Sequence, residues 1–373
     1  MDGERERTGQ AEKSSTMGLF ERYLTLWVGL CMLLGVGVGT WFPGFVQAFR
    51  GLDLGQDSHI NLPIAVLIWL MIIPMMMKVD FASIRQVGSR PRGLVVTLIV
   101  NWLIKPFSMA VLAWIFFRHV FAPWISSDEA DQYMAGAIIL AAAPCTAMVF
   151  VWSYLTEGDP AYTLVQVSLN DLLMLVLFAP IITLLVTGVS SLTVPFSVLL
   201  YSVVAFIVIP LAAGAGLRVW LIRRNGARWF EHMLLPRFAP VTIVALLLTL
   251  LLIFAFQAQN ITGKAWHVLL IAVPILLQVY FNASLTYGLM KWLNVPHNIA
   301  APGALIGASN FFELAVATAI ALYGPESGAA LVTVVGVLVE VPVMLSVCAA
   351  CNRTRHWFSA TSVRAGQPST VAR

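Results

Sequence analysis

Charge is what this chain has least of. Only 11% of its 373 residues are Asp, Glu, Lys or Arg, and 59% are hydrophobic, with a mean hydropathy of +0.85. A soluble domain carries about a quarter charged residues, so a chain this apolar has no way to hide its surface in one water-soluble core. The composition places it among polytopic membrane proteins. Other shortages narrow the class. There is no G-x-x-x-x-G-K-[ST] loop, which argues against an ATPase. The six histidines are scattered, with no metal-ligand spacing, no hydrolytic triad and no cofactor motif, so an enzyme is not expected and no cofactor is implied. Four cysteines, Cys31, Cys145, Cys348 and Cys351, lie within or at the ends of apolar runs, which does not fit a secreted disulfide framework. No cleavable signal peptide is visible, since residues 1–16 are polar and of mixed charge. The net charge of +4 is modest. The basic residues cluster in particular loops, as a topology signal does and a nucleic-acid surface does not.

What is present is a series of apolar runs long enough to cross a bilayer. Ten are read: 22–42, 61–77, 93–117, 132–155, 162–186, 194–220, 235–257, 266–290, 297–323 and 328–350. A cytoplasmic N-terminal tail (1–20) and a polar, basic C-terminal tail (351–373) flank the region 21–350. With the N-terminus inside, alternation puts 18 of the 22 Lys and Arg residues on the cytoplasmic side and the acidic loop Asp128, Glu129, Asp131 outside. This bias favours an even number of spans, both termini cytoplasmic, in the plasma membrane.

The most informative stretch is Gly136 to Pro180. Its first apolar run is interrupted by Pro144, followed at once by Cys145 and Thr146, and its second carries Asn170-Asp171. Proline, thiol and carboxylate at membrane depth are costly unless they face a cavity. A second copy of the pattern follows. Gly136-Ala137-Ile138-Ile139 reads against Gly303-Ala304-Leu305-Ile306, and Pro144-Cys145-Thr146 falls on Phe311-Phe312-Glu313. With a slip of two residues Asp171 falls on Glu340. Five spans separate the copies, so they have opposite orientation: an inverted repeat, about 21–190 and 191–350, of the kind that builds secondary transporters. The fold expected is thus an all-α membrane protein in a five-plus-five arrangement with two discontinuous helices. Interrupted helices of the two halves then supply the site, one at Pro144-Cys145 and the other at Ser309-Asn310 and Glu313.

Cys145 has two readings, a small apolar residue at a helix contact or a soft ligand for a thiophilic solute. Transport asks for binding weak enough to release, which one thiol satisfies better than a sulfur cage. Lys105, Asp171, Glu313 and Glu340 are ionisable residues inside spans, and intramembrane charge is functional by default. Lys105 is expected to pair with Asp171 or with an acid of the other repeat. Three acids against one base leave surplus carboxyls, of which Glu313 is the best placed to carry a proton. Asn101, Asn170, Asn282 and Asn310 serve either as interhelical hydrogen-bonding groups or as site lining. Cys348 and Cys351 form a C-x-x-C at the end of the last span, read either as a pair of thiols that captures a thiophilic solute before entry or, more simply, as small residues at a helix end that need no such role.

The runs Ala143-Pro144-Cys145-Thr146-Ala147-Met148-Val149-Phe150-Val151-Trp152-Ser153, Gly158-Asp159-Pro160 and Gln166 through Asp171 together resemble the arsenical-resistance-three family of arsenite efflux permeases. This family belongs to the bile acid/arsenite/riboflavin transporter superfamily. The likeness continues through Gly307-Ala308-Ser309-Asn310-Phe311-Phe312-Glu313-Leu314-Ala315-Val316-Ala317 and from Val334 to Met344, and spans about residues 20–350. The resemblance implies ten helices with a panel domain and a core domain whose broken helices cross. It also implies export of arsenite, and of antimonite in some members, in exchange for protons. The family's essential cysteine, the As(III) ligand, maps onto Cys145, with Pro144, Thr146 and Asn310 beside it. Its essential carboxylate maps onto Glu313. Gly336-Val337-Leu338 departs from the pattern, lacking a proline found in many relatives. The partners expected are arsenite, protons and the bilayer, with no nucleic acid; an ATPase subunit is a partner left open. A sodium-coupled organic-anion symporter on the same scaffold is the main rival, with Asn310, Glu313 and Asp171 as oxygen ligands. A metalloid-binding membrane sensor is another, though both tails look too short for a signalling domain.

Overall fold

The computed structural model describes residues 24–52, 61–77, 91–146 and 148–358. The expected tail 1–20, the inside-loop cations Lys78, Arg85 and Arg90, and the C-terminal tail beyond residue 358 lie outside the described residues. Every named element among the described residues is helical. α1 (Leu24–Trp41) turns by 100° into α2 (Pro43–Arg50) at a proline in the first helical turn. α3 (Leu62–Met76), α4 (Pro91–Val120), α5 (Ser127–Ala142), α6 (Val149–Leu155) and α7 (Pro160–Val189) complete the first half. The second half holds α8 (Phe196–Asn225), α9 (Ala227–Phe256), the short α10 (Ala258–Gly263), α11 (Ala265–Trp292), α12 (His297–Ala308), α13 (Phe312–Tyr323) and α14 (Gly328–Arg353).

Six of these helices, α4, α7, α8, α9, α11 and α14, are long and apolar enough to cross a membrane, or seven if the bent α1–α2 pair counts as one. The other expected runs take different forms. Run 61–77 is the 15-residue α3, whereas 132–155 and 297–323 are each split in two, as α5 with α6 and α12 with α13. Large apolar residues such as Leu33, Val176, Leu184 and Leu269 lie exposed along the helices, a surface suited to lipid.

Local chemistry explains the element ends. Ser126 and Glu129 form a reciprocal capping box at the start of α5. Asp159 accepts from the backbone of Ala161 and Tyr162, and Pro160 supplies the first residue of α7. Inside the long helices run four wide π-turns; those at Val100–Ile104, Val204–Val208 and Phe230–Leu234 each end two residues before a proline, Pro106, Pro210 and Pro236, and the fourth, Trp114–Val120, ends α4. Proline lacks an N–H and crowds the preceding turn, and the widened turn absorbs that conflict without ending the helix.

α5, α12, α13 and α14 are almost wholly buried and form the interior. α5 packs on α14 and α12 packs on α7. Gly136 lets the first of these pairs close, because a Cβ there would overlap the carbonyl oxygen of Ala329 and lie 2.8 Å from its Cα. At the N-terminal end of α5, Glu129 meets Lys264 at 2.7 Å, and Arg118 meets Asp131 at 2.5 Å. The last helix runs past the expected end of its span to Arg353. A short turn, Arg355–Trp357, then brings Phe358 against Tyr287 and His297.

Candidate functional site

The two interruptions meet. α5 ends at Ala142, and Ala143 turns extended, at φ −105° and ψ 105°. α12 ends at Ala308, and Ser309 is likewise extended, at φ −84° and ψ 158°. Pro144 and Asn310 then pair as an isolated antiparallel bridge, with the Phe311 N–H donating to the Ala143 carbonyl at 2.8 Å. The cause is elementary. A broken helix exposes carbonyls and N–H groups with no partner of their own, and hydrocarbon supplies none. Proline at 144 removes one donor, and the facing break satisfies part of the remainder.

Around this bridge the fold gathers charged and thiol groups that are distant in sequence. Cys145 is 2% exposed, and its thiol sits beside the backbone N–H groups of Met148 and Val149 at the start of α6. Glu313 stands in the first turn of α13 and Glu340 near the middle of α14, and both lie near Cys145. Glu340 holds the second break in shape. It accepts from the Asn310 backbone N–H at 2.8 Å and faces the Asn310 side-chain amide at 3.4 Å. Lys105 is fully buried and donates to the Ser309 carbonyl at 2.7 Å. The acid near it is Glu340, of the second half, and not Asp171. The sequence left both options standing. The orphan carbonyl at the end of α12 attracts the ammonium, because a cation suits a helix C-terminus.

Orphaned oxygens mark the same place. Thr146 Oγ1, Ser309 Oγ, Asn310 Oδ1 and one carboxyl oxygen of Glu313 are buried and have no hydrogen-bond partner among the described residues. A native interior leaves few such atoms, and a cluster of them calls for a ligand or water. Together the thiol and these oxygens can bind a small solute with a soft central atom and polar O–H groups.

The remaining expected residues divide. Asn101 and Asn170 join each other at 3.1 Å, and Trp102 Nε1 donates to the same Asn170 oxygen at 3.1 Å, so this pair braces α4 on α7. Asn282 donates to the Gln278 carbonyl one turn back along α11, and its Oδ1 is buried without a partner among the described residues. Asp171 lies 3% exposed, with neither carboxyl oxygen partnered among the described residues. Trp152 packs within the interior at 1% exposure. Cys348 and Cys351 are buried free thiols on α14. Ser309, read from the sequence as part of the second break, also receives Lys105 at its carbonyl; Gln166, which donates to Thr97 Oγ1 at 2.7 Å beside the Asn101–Asn170 brace, was not singled out. Ser309 had a readable signal as the first polar residue after the apolar run of α12; Gln166 had none beyond being polar.

Comparison with known proteins gives the family. The profile of the Sodium Bile acid symporter family matches residues 65–264. The arsenical-resistance protein Acr3 of Alkaliphilus metalliredigens is 52% identical over 342 residues, which cover 92% of this chain and 95% of that protein. An uncharacterized transporter of Synechocystis sp. is 45% identical, covering 92% of this chain and 91% of its own length. The arsenical-resistance protein Acr3 of Corynebacterium glutamicum is 29% identical, covering 89% of each. With two interrupted helices bridged at a buried thiol, and with this similarity along most of its length, the chain belongs to the sodium bile acid symporter family, on the branch of the Acr3 arsenical-resistance proteins.

Proposed function

We propose that the chain is an arsenite efflux permease that exchanges As(III) for protons across the plasma membrane. The observation that carries this reading is the Pro144–Asn310 bridge, which sets Cys145 among orphaned buried oxygens and two carboxyl groups. Arsenous acid, As(OH)3, is uncharged at neutral pH, with a thiophilic centre and three O–H donors. Thiolate sulfur is a soft ligand for such a centre. Cys145 bonds arsenic by exchange: Cys–SH and As(OH)3 give Cys–S–As(OH)2 and one water, and water reverses the step on release. The remaining hydroxyls donate to Asn310, Glu313 and their orphaned neighbours.

Glu313 carries the proton. Solute arriving from the cytoplasm displaces it inward, the core rocks against the panel, and an external proton reloads Glu313 and drives the solute off. Coupling follows from this competition, since each ligand shifts the equilibrium only through its differential affinity for the states. Lys105 and Glu340 hold the second break in shape during the cycle. Ten spans in a five-plus-five inverted repeat, with both termini cytoplasmic, complete the proposal, and antimonite is a second solute.

The family match keeps a second reading alive: sodium-coupled uptake of an organic anion. Arsenite uptake into everted vesicles, driven by a pH gradient without sodium, separates the two. The expected result is uptake by the wild-type protein, loss of at least tenfold in Cys145→Ala, and loss of pH-gradient dependence in Glu313→Gln. Organic-anion uptake that requires sodium, with no arsenite flux, would replace this reading by the symporter. Full gradient-driven export by Glu313→Gln would remove the proton role of that residue.

A further inference from the structure

A small cavity lies beside the crossing. Thr146, Asp171 and Phe311 line it, together with Met76 of α3, Met174 of α7 and Phe206 of α8. Its volume is about 10 Å³, which is room for one oxygen atom the size of a water. Thr146 and Asp171 are the polar residues of this lining, and the rest are apolar side chains. Thr146 Oγ1 and both carboxyl oxygens of Asp171 have no partner among the described residues, although both residues are more than nine-tenths buried. Among the described residues no cation lines the cavity, and Lys105 is engaged by the Ser309 carbonyl.

The repeat sharpens the point. Asp171 and Glu340 are the carboxyl groups that the sequence repeat aligns, one on α7 and the other on α14. Glu340 spends its oxygens on Asn310 at the second break. Asp171 stands by Thr146 at the first break and makes no such bond. A buried acceptor that the protein leaves unmatched costs stability, by roughly as much as a lost hydrogen bond. The same acceptor becomes a specificity device if the solute supplies the donor, because an analogue lacking that O–H leaves it orphaned.

Resting on the arsenite reading above, we infer that Asp171 and Thr146 form a hydroxyl-recognition subsite, which receives one O–H of the solute held at Cys145. Thr146 follows Cys145 directly in the chain, so the subsite and the thiol are neighbours by covalent connection. The subsite selects for hydroxylated trivalent species. Once bonded to sulfur, arsenite still carries two hydroxyls, whereas dimethylarsinous acid, (CH3)2AsOH, loses its single hydroxyl as water and carries none.

The test uses the full-length protein in detergent. Alkylation of Cys145 by N-ethylmaleimide is followed peptide by peptide while arsenite or dimethylarsinous acid is titrated in. The arsenite concentration for half-protection should rise about tenfold in Asp171→Leu and about threefold in Thr146→Val. Protection by dimethylarsinous acid should stay within about twofold of wild type. Equal arsenite protection in wild type and both variants would overturn the subsite and leave the Cys145 site standing. Equal weakening for both arsenicals would reduce Asp171 to a structural role. Wild-type protein protected by neither arsenical would overturn the arsenite reading and the subsite with it. If Asp171→Leu does not fold, Asp171→Asn, which keeps the shape and one acceptor, decides: a shift of about threefold for arsenite alone supports the subsite, and none overturns it.

Discussion

A fully buried lysine within the membrane is tolerated only when its surroundings are built for it. Lys105 finds an orphan carbonyl at the end of α12 and the Glu340 carboxylate behind it. Replacing one member leaves the other uncompensated, whereas replacing both removes the problem. Lys105→Met should therefore lower stability by about 3 kcal/mol, and Lys105→Met with Glu340→Gln should recover at least half of that. Thermal unfolding in detergent, run as a double-mutant cycle, checks this, and strictly additive losses would contradict the coupling. The importance of Lys105 was legible in the sequence, as a lone cation in an apolar run. Its partner was not, because the partner sits 204 positions away and is a backbone carbonyl, which no side-chain pattern announces.

At the level of elements, the breaks were the most legible feature. Pro144 inside an apolar run and Ser309-Asn310 inside another each conflict with a continuous helix. That the breaks pair with each other depends on α5 and α14 approaching closely, and this rests on small residues whose meaning is ambiguous in isolation. Gly136 shows why. It reads as a weak helix former, yet its missing side chain is what lets the backbone of α14 approach. Gly136→Ala should cost about 1–3 kcal/mol by overpacking and should reduce transport in proportion, since the bridge hangs from α5. A variant with unchanged melting temperature and full flux would mean that α5 and α14 have slack between them. The long unbroken helices were read correctly as apolar runs. The π-turns ahead of Pro106, Pro210 and Pro236 were not foreseen, although each is the response of a helix to a proline it cannot expel.

Across the whole molecule, the polar ends act as clasps between distant segments. Glu129 at the start of α5 meets Lys264 at the start of α11. Partial burial raises the Glu129 carboxyl, but hydrogen bonds from Lys264 and Ser126 outweigh this and hold it down at about 2. The folded value is thus below the unfolded one of about 4.3, so the clasp contributes fully above about pH 5 and fades as pH falls toward 2. The pair is partly open to solvent, which limits its worth to less than about 1 kcal/mol. Melting temperature followed from pH 6 to pH 3 should fall more steeply in wild type than in Lys264→Ala, and parallel curves would show that the clasp is idle.

The contact between Lys105 and Ser309 also bears on how the protein is made. When α4 leaves the ribosome, the carbonyl and carboxylate that will receive its ammonium are still unsynthesised. A charge at the centre of a lone span costs about 2.5–3.5 kcal/mol at insertion. For most of its synthesis the nascent chain therefore holds one strained helix, which draws its lysine toward headgroups or the insertion machinery until the second half arrives to receive it.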